Sequence, residues 1–209
     1  MSEIEIIGAP QSNFVRSVRM ACVEKGVPYR LTPARPHSPE IDAIHPFGLI
    51  PAMRHGELTL CESRAIAGYV DQAFAGPALL PRDPKAAAVA EQWCSLVAHA
   101  IDGAMMRGYA IAYFFPGTAD GKPDRARVEA SLPKLKAAFV AVEARLAASA
   151  YLGGPAFGLA DMLLLPMIQY MRMLPESGAL LAESPALTAW FDNVSARPSA
   201  VETLPPERR

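Results

Sequence analysis

The residues near the N-terminus whose types could do chemistry are Ser12 and Asn13, which follow Gly8-Ala9-Pro10-Gln11 and open a stretch of helical periodicity. A hydroxyl at a helix start lies beside backbone N–H groups without intrahelical partners and beside the positive end of the helix dipole, and both favour an anion. On position alone the plainer role of Ser12 is a helix cap. A second candidate group is Met105, Met106, Tyr109, Tyr113, Phe114 and Phe115. Adaptable Met and aromatic surface suits varied apolar ligands, although residues at such spacing also build ordinary core. The three cysteines, Cys22, Cys61 and Cys94, are odd in number and lack Cys-x-x-Cys or metal-ligand spacing, so neither a disulfide framework nor a metal site is expected. Cys22 lies deep along its helix, away from the dipole end, and reads as a core thiol rather than a nucleophile.

These groups need elements to hold them. Ile4, Ile6 and Ile7 form a short apolar strand ended by Gly8-Ala9-Pro10; Val15, Val18, Cys22 and Val23 then recur at helical spacing until Gly26. A second strand, Tyr29 to Thr32, follows, so the first three elements read as a right-handed βαβ unit with parallel pairing. A Pro- and His-rich loop leads to a short helical piece before His45-Pro46-Phe47-Gly48. Two strands flank His55-Gly56, taken as a two-residue hairpin turn, and a helix runs from Glu62 to about Ala75. The order is β-α-β-α-β-β-α. Gly76-Pro77, Pro81 and Pro84 mark a linker, because Pro and Gly at this density exclude both helix and ladder.

Beyond the linker all patterns are helical. Val89, Trp93, Leu96, Ala100, Ala104 and Ile111 predict one long helix with an apolar face up to Pro116. Val128, Leu132, Leu135, Phe139, Val142 and Leu146 predict a helix packed on another helix. Leu159 to Leu174 is apolar nearly all round and reads as the central helix; a last amphipathic helix covers about Pro185 to Ala196. The fold class is therefore α/β plus all-α: residues 1–76 as an α/β domain, 77–84 as a linker, and 85–209 as a helical bundle.

With 209 residues and 51% hydrophobic content the chain has ample material for buried cores. Its 20 Lys and Arg are scattered among 21 Asp and Glu for a formal net charge of -1, so the basic footprint of a nucleic-acid binder is missing. Leu159 to Ile168 is too short for a bilayer, and the acidic start Met1-Ser2-Glu3-Ile4-Glu5 is unlike a signal peptide. Neither nucleic acid nor membrane is an expected partner, and the expected location is cytoplasmic.

One longer pattern ties these pieces together: Gly8-x-x-x-Ser12-x-x-x-Arg16-x-Val18, Pro39-Glu40, His45-Pro46-Phe47-Gly48-Leu49-Ile50-Pro51-Ala52, and Leu58-Thr59-Leu60-Cys61-Glu62-Ser63-Arg64-Ala65-Ile66. It resembles the thioredoxin-like, glutathione-binding domain of cytosolic glutathione transferases, nearest the serine-using, phi-like and theta-like classes. The resemblance continues through Tyr151-Leu152-Gly153-Gly154 and Leu159-Ala160-Asp161, and so spans almost the whole chain.

The resemblance implies a set of roles. Ser12 would direct its O–H at the glutathione sulfur and lower the thiol pKa, with Asn13 beside it; Pro51 would be cis and present the backbone of Ile50 to the cysteinyl part. Glu62 and Ser63 would hold the γ-glutamyl end, and His37 would contact the glycyl carboxylate. The helical domain would receive a small apolar electrophile on Met105, Met106, Tyr109 and Tyr113. Phe47 corresponds to a loop aromatic that inserts into a partner subunit in related classes, so a homodimer is expected. No metal is implied; glutathione enters as co-substrate, and detoxification is the implied role.

Departures from the family pattern bear on these roles. Leu49 stands where Gln is common, Pro36 stands beside His37 where a second polar residue is common, and Gly158 replaces the Ser or Thr before Leu-Ala-Asp, leaving Asp161 half of a capping box. Two alternatives stay open: a glutathione-dependent isomerase, dehalogenase or peroxidase on the same scaffold, and a non-catalytic binding module.

Overall fold

In the computed structural model, which describes residues 3–206, the first strand, β1 (Ile4–Ile7), divides its isoleucines between the two faces of the sheet. Ile4 and Ile6 join Val15, Val18 and Cys22 of α1 (Asn13–Glu24) and Ile66 and Val70 of α3 (Ser63–Ala73) in one core. Ile7 turns to the other face and meets Ile41 of α2 (Pro39–Asp42) and Ala52. That split follows from the two-residue period of a strand. β2 (Tyr29–Thr32) pairs parallel with β1, as the βαβ reading requires. β3 (Ala52–His55) runs antiparallel to β1 and to β4 (Leu58–Cys61), and the sheet order is β2-β1-β3-β4. The element order is the thioredoxin-like β-α-β-α-β-β-α.

The hairpin turn sits one residue later than expected. His55 pairs with Leu58, so the two-residue turn is Gly56-Glu57, not His55-Gly56. Its first position has a φ of 60°, which glycine, having no Cβ, adopts more readily than other residues.

The helical half opens with α4 (Pro84–Leu96), whose N-terminus is capped by Asp83 Oδ1 accepting from the Ala86 N–H at 2.9 Å. The helix continues through two π-helical stretches, Val97–Ile101 and Gly103–Ala110, into α5 (Ile111–Phe114). A Cβ on Gly108 would lie 2.9 Å from the Gly103 carbonyl oxygen, so glycine is needed where the widened turns close. The buried line is Ala90, Cys94, Val97, Ile101, Met105 and Tyr109, whereas Val89, Leu96 and Ala100 are exposed. The expected apolar face is thus largely displaced by one residue, with Ala104 buried and Trp93 and Ile111 half-buried among its expected members, because two adjacent apolar stripes run along this helix and burial favours the other.

α6 (Arg125–Ala148) buries Val128, Leu135, Phe139, Val142 and Leu146, with Leu132 half-buried. α7 (Leu159–Met171) is buried at every position from 159 to 168, as befits a central helix. α9 (Pro185–Ser195) matches the last expected helix. Two further short helices, α8 (Pro175–Ala182) and α10 (Pro198–Glu202), were not expected; each begins on a proline, which suits a first helical turn although it reads as a breaker.

Asp161 organises the start of α7. Its carboxylate accepts from the N–H groups of Leu152 and Gly158, each at 3.0 Å, and from Trp190 Nε1 at 2.9 Å. Gly158 has no side chain to return the bond, so only half of the reciprocal cap exists. Burial pushes the Asp161 carboxyl up to about 6 in spite of these three donors.

The chain divides into two compact units: residues up to Arg82 together with those from Ser195 onward, and Asp83–Val194. The last segment thus belongs with the sheet. Arg16 is buried and donates to the Ala200 carbonyl at 2.9 Å, while Arg19 donates to the Thr203 carbonyl at 3.1 Å. Arg197 and Ser199 both bond the Glu24 carboxylate. A buried ion pair, Lys25 to Asp71 at 3.1 Å, joins α1 to α3 within the same unit.

Candidate functional site

Ser12 caps α1 with extended backbone angles, its Oγ accepting from the Val15 N–H at 3.4 Å. Accepting that bond leaves the hydroxyl proton available to donate, so capping and donation to an anion are compatible in one side chain. Asn13 is the first residue of α1, and its carbonyl accepts from Ser17 Oγ. Arg16, one turn on, is buried, and its guanidinium donates to Thr203 Oγ1 and to the Ala200 carbonyl. Burial pushes the Cys22 thiol up to about 12, which keeps it protonated and excludes it as a nucleophile near neutral pH.

The turn carrying Ser12 lies against Ile50 because residue 8 is glycine. A Cβ there would sit 2.5 Å from Val15 Cγ2 and 3.2 Å from Ile50 Cβ. The Ile50-Pro51 bond is cis, and Pro51 is buried immediately before β3. The loop between α2 and β3 is also stitched: the His37 N–H donates to the Gly48 carbonyl at 2.8 Å. His37 itself is exposed, with Nδ1 3.7 Å from Asp42 Oδ1.

Glu62 and Ser63 stand at the junction of β4 and α3. Glu62 has a φ of 71°, a region sparsely used by non-glycine residues, and its carbonyl accepts the Ile66 N–H that closes the first helical turn. Ser63 is buried as the first residue of α3, beside the unpaired amides and positive dipole end of that helix. The Glu62 side chain reaches outward and meets His45 Nε2 at 3.2 Å. His45, in the His45-Pro46-Phe47-Gly48 motif, is buried, and no local signal in the sequence marks it.

In the helical unit Met105 and Tyr109 are fully buried, while Met106 and Tyr113 are half-buried and keep accessible surface. Both tyrosine hydroxyls donate to Glu176 Oε2, Tyr109 at 2.8 Å. Arg125 donates to Glu176 Oε1 at 2.7 Å and to the Tyr113 oxygen at 2.9 Å. Burial works to raise the Glu176 carboxyl, but the donors Tyr113, Arg125 and Tyr109 outweigh it and hold the value down at about 2. The same contacts push both phenols up, burial being the leading cause in each. Neither Glu176 nor Arg125 was legible beforehand, since each is more than 10 residues from its tyrosine partners and Glu176 lies on α8.

Among the described residues no group of three or more His, Cys, Asp or Glu side chains is arranged to hold a metal ion. No helix among them is long and apolar enough to cross a membrane.

A mixed sheet with a cis-proline before its third strand, followed by an all-helical unit, defines the architectural class, and comparison with known proteins narrows it. A family model described as the glutathione S-transferase N-terminal domain matches residues 6–78, and one described as the glutathione S-transferase C-terminal domain matches residues 103–198. The chain is 32% identical over 203 residues to glutathione S-transferase 4 of Zea mays, covering 94% of this chain and 90% of that one. The crystal structure of glutathione transferase F7 from Populus trichocarpa is similar with a TM-score of 0.86 at 28% identity, covering 96% and 97% of the two chains. Glutathione S-transferase I from maize, solved in complex with an atrazine glutathione conjugate, has a TM-score of 0.84 at 27% identity over 97% and 96%. The chain belongs to the glutathione S-transferase family.

Proposed function

We propose that this protein binds glutathione on its first unit and activates the thiol through Ser12 for attack on an electrophilic carbon of a small apolar substrate. The observation that carries the reading is the Ser12 hydroxyl, an N-cap whose proton is unspent, on a turn that Gly8 lets lie against Ile50. A free thiol has a pKa near about 8.5, and a hydrogen bond to a charged acceptor is worth about 1.5 to 3 kcal/mol, so one O–H aimed at the sulfur lowers that value by roughly one to two. That makes most bound glutathione thiolate near neutral pH. The maize relative's conjugate supports the same class of chemistry here: sulfur displacing a leaving group or adding to an electrophile.

In this reading Ile50 pairs its backbone with the cysteinyl part next to Pro51. Glu62 takes the γ-glutamyl ammonium; Ser63 and the amides of α3 take the carboxylate. Asn13 lies beside the thiolate, and His37 serves the glycyl end as a donor. Residues 1–76 form the glutathione-binding domain, 77–84 the linker, and 85–209 the electrophile-binding domain apart from the final segment that completes the first unit. Met106 and Tyr113 are the members of the second-substrate set with surface to offer, and Met105 and Tyr109 back them. The enzyme works in the cytoplasm as a homodimer. The surfaces that a second copy would cover are the exposed Phe47 and the groove of about 530 Å3 lined by Trp93, Leu96, His99, Ala100, Lys134 and Ala137.

The test is a glutathione titration followed by ultraviolet thiolate absorbance, comparing the native protein with Ser12→Ala. Native protein is expected to bind the tripeptide with a lowered thiol pKa, and the variant to bind with that lowering lost. Binding without any lowering in the native protein would remove Ser12 from the mechanism. Absence of binding would leave a binding scaffold for other ligands.

A further inference from the structure

We infer that His45 is a positioning residue that fixes the carboxylate of Glu62 for the amine of the ligand and ties it to the Phe47 loop. The inference rests on the glutathione reading above and assigns a role to a side chain that this reading does not use.

His45 lies just beyond α2, and its side chain is only 2% exposed. The backbone N–H of Phe47 donates to His45 Nδ1 at 3.1 Å. An amide N–H is a donor only, so Nδ1 must carry the lone pair and the proton of the neutral ring sits on Nε2. Nε2 is 3.2 Å from Glu62 Oε1, and its N–H therefore donates to that oxygen. One ring thus reads two distant parts of the chain, the Pro46-Phe47 turn on one nitrogen and the β4–α3 junction on the other.

The Glu62 side chain is 66% exposed, so packing alone does not hold it. A free glutamate must give up rotamer freedom when it binds, and that loss weakens binding. The backbone at φ 71° sets where the side chain starts, and the His45 hydrogen bond sets where it ends. With Oε1 held by the imidazole, Oε2 keeps its accepting capacity for an ammonium group. The bond also links ligand to loop: the rings of His45 and Phe47 meet edge-on with centroids 6.3 Å apart, and Phe47 is 73% exposed.

The experiment measures KM and kcat for glutathione and for its analogue lacking the γ-glutamyl amino group, in His45→Asn, His45→Gln and Glu62→Gln. Asparagine keeps an acceptor for the Phe47 N–H but has no donor that reaches Glu62; glutamine places an amide N–H near the position of Nε2. His45→Asn is expected to raise KM for glutathione about five- to tenfold with kcat unchanged, the size of a lost charge-assisted hydrogen bond acting through one intermediary. His45→Gln is expected to stay within about twofold of native, and neither variant to change KM for the deaminated analogue. A purely structural role would penalise both ligands alike, and that result overturns the inference. So does an unchanged KM in His45→Asn while Glu62→Gln raises it. Should His45→Asn fail to fold, a His45→Gln that folds but loses glutathione affinity overturns it equally. If Glu62→Gln leaves glutathione binding intact, the amine site itself is misassigned, and the role of His45 falls with it.

Discussion

Replacing Glu176 with glutamine keeps the shape of the Tyr109–Tyr113–Arg125 cluster and removes its charge. The native carboxyl is displaced from an ordinary 4.5 to about 2. That displacement is worth at most about 3 kcal/mol of folding free energy, and exposure of the Arg125 side of the cluster screens it toward about 2 kcal/mol. The sign follows from linkage: a carboxyl whose folded value is depressed stabilises fully above its unfolded value and loses that contribution as pH falls toward the folded one. Native protein is therefore expected to exceed Glu176→Gln by about 2 kcal/mol at pH 7, and roughly two-fifths of the difference is gone by about pH 3.5. Both tryptophans, Trp93 and Trp190, lie in the helical unit, so urea unfolding followed by tryptophan fluorescence reports on the unit that holds the cluster. A difference between the two proteins that stays flat from pH 7 to pH 3.5 would refute the electrostatic account and leave only packing.

Other outcomes follow from the same geometry. Asp161→Ala strands the N–H groups of Leu152 and Gly158 and the Trp190 indole, and a loss of about 3 to 5 kcal/mol is expected in the same denaturation assay. Asp161→Asn is milder. Because burial raises the native carboxyl from 3.8 to about 6, native protein gains on the asparagine variant as pH falls from 6 toward 4; the opposite slope would contradict the burial argument. Sedimentation equilibrium of the native chain should show a dimer, with Phe47→Ala weakening it roughly thirtyfold or more. A native monomer at micromolar concentration would count against the second copy.

Much of the first unit was legible because its signals are local. Ile4, Ile6 and Ile7 alternate, Gly26 stops α1, and Ser12 and Glu62-Ser63 sit where caps must sit. The hairpin turn slipped by one residue since His55-Gly56 and Gly56-Glu57 differ only in where Gly56 places its positive φ. In the long helix, Val89-Trp93-Leu96 and Ala90-Cys94-Val97 are both apolar, and no rule of periodicity chooses between neighbouring stripes. What escaped the sequence depends on chain return. Arg16 is buried by residues 184 and more positions away, Glu176 meets Tyr113 across 63, and His45 finds Glu62 only after the hairpin brings β4 back.

The docking of the final segment onto α1 has a bearing on how the protein is made. Its first unit is discontinuous in sequence: the acceptors that Arg16 and Arg19 use, on Ala200, Glu202 and Thr203, follow those arginines by 183 or 184 residues. A ribosome has released residues 1–82 long before it supplies those carbonyls, because the whole of Asp83–Val194 is synthesised in between. The first unit must therefore wait, with two guanidinium groups short of these partners, until the second unit has been made. Completion of the first unit is in this way coupled to synthesis of the second, and a chain interrupted within residues 83–194 carries an unfinished first unit.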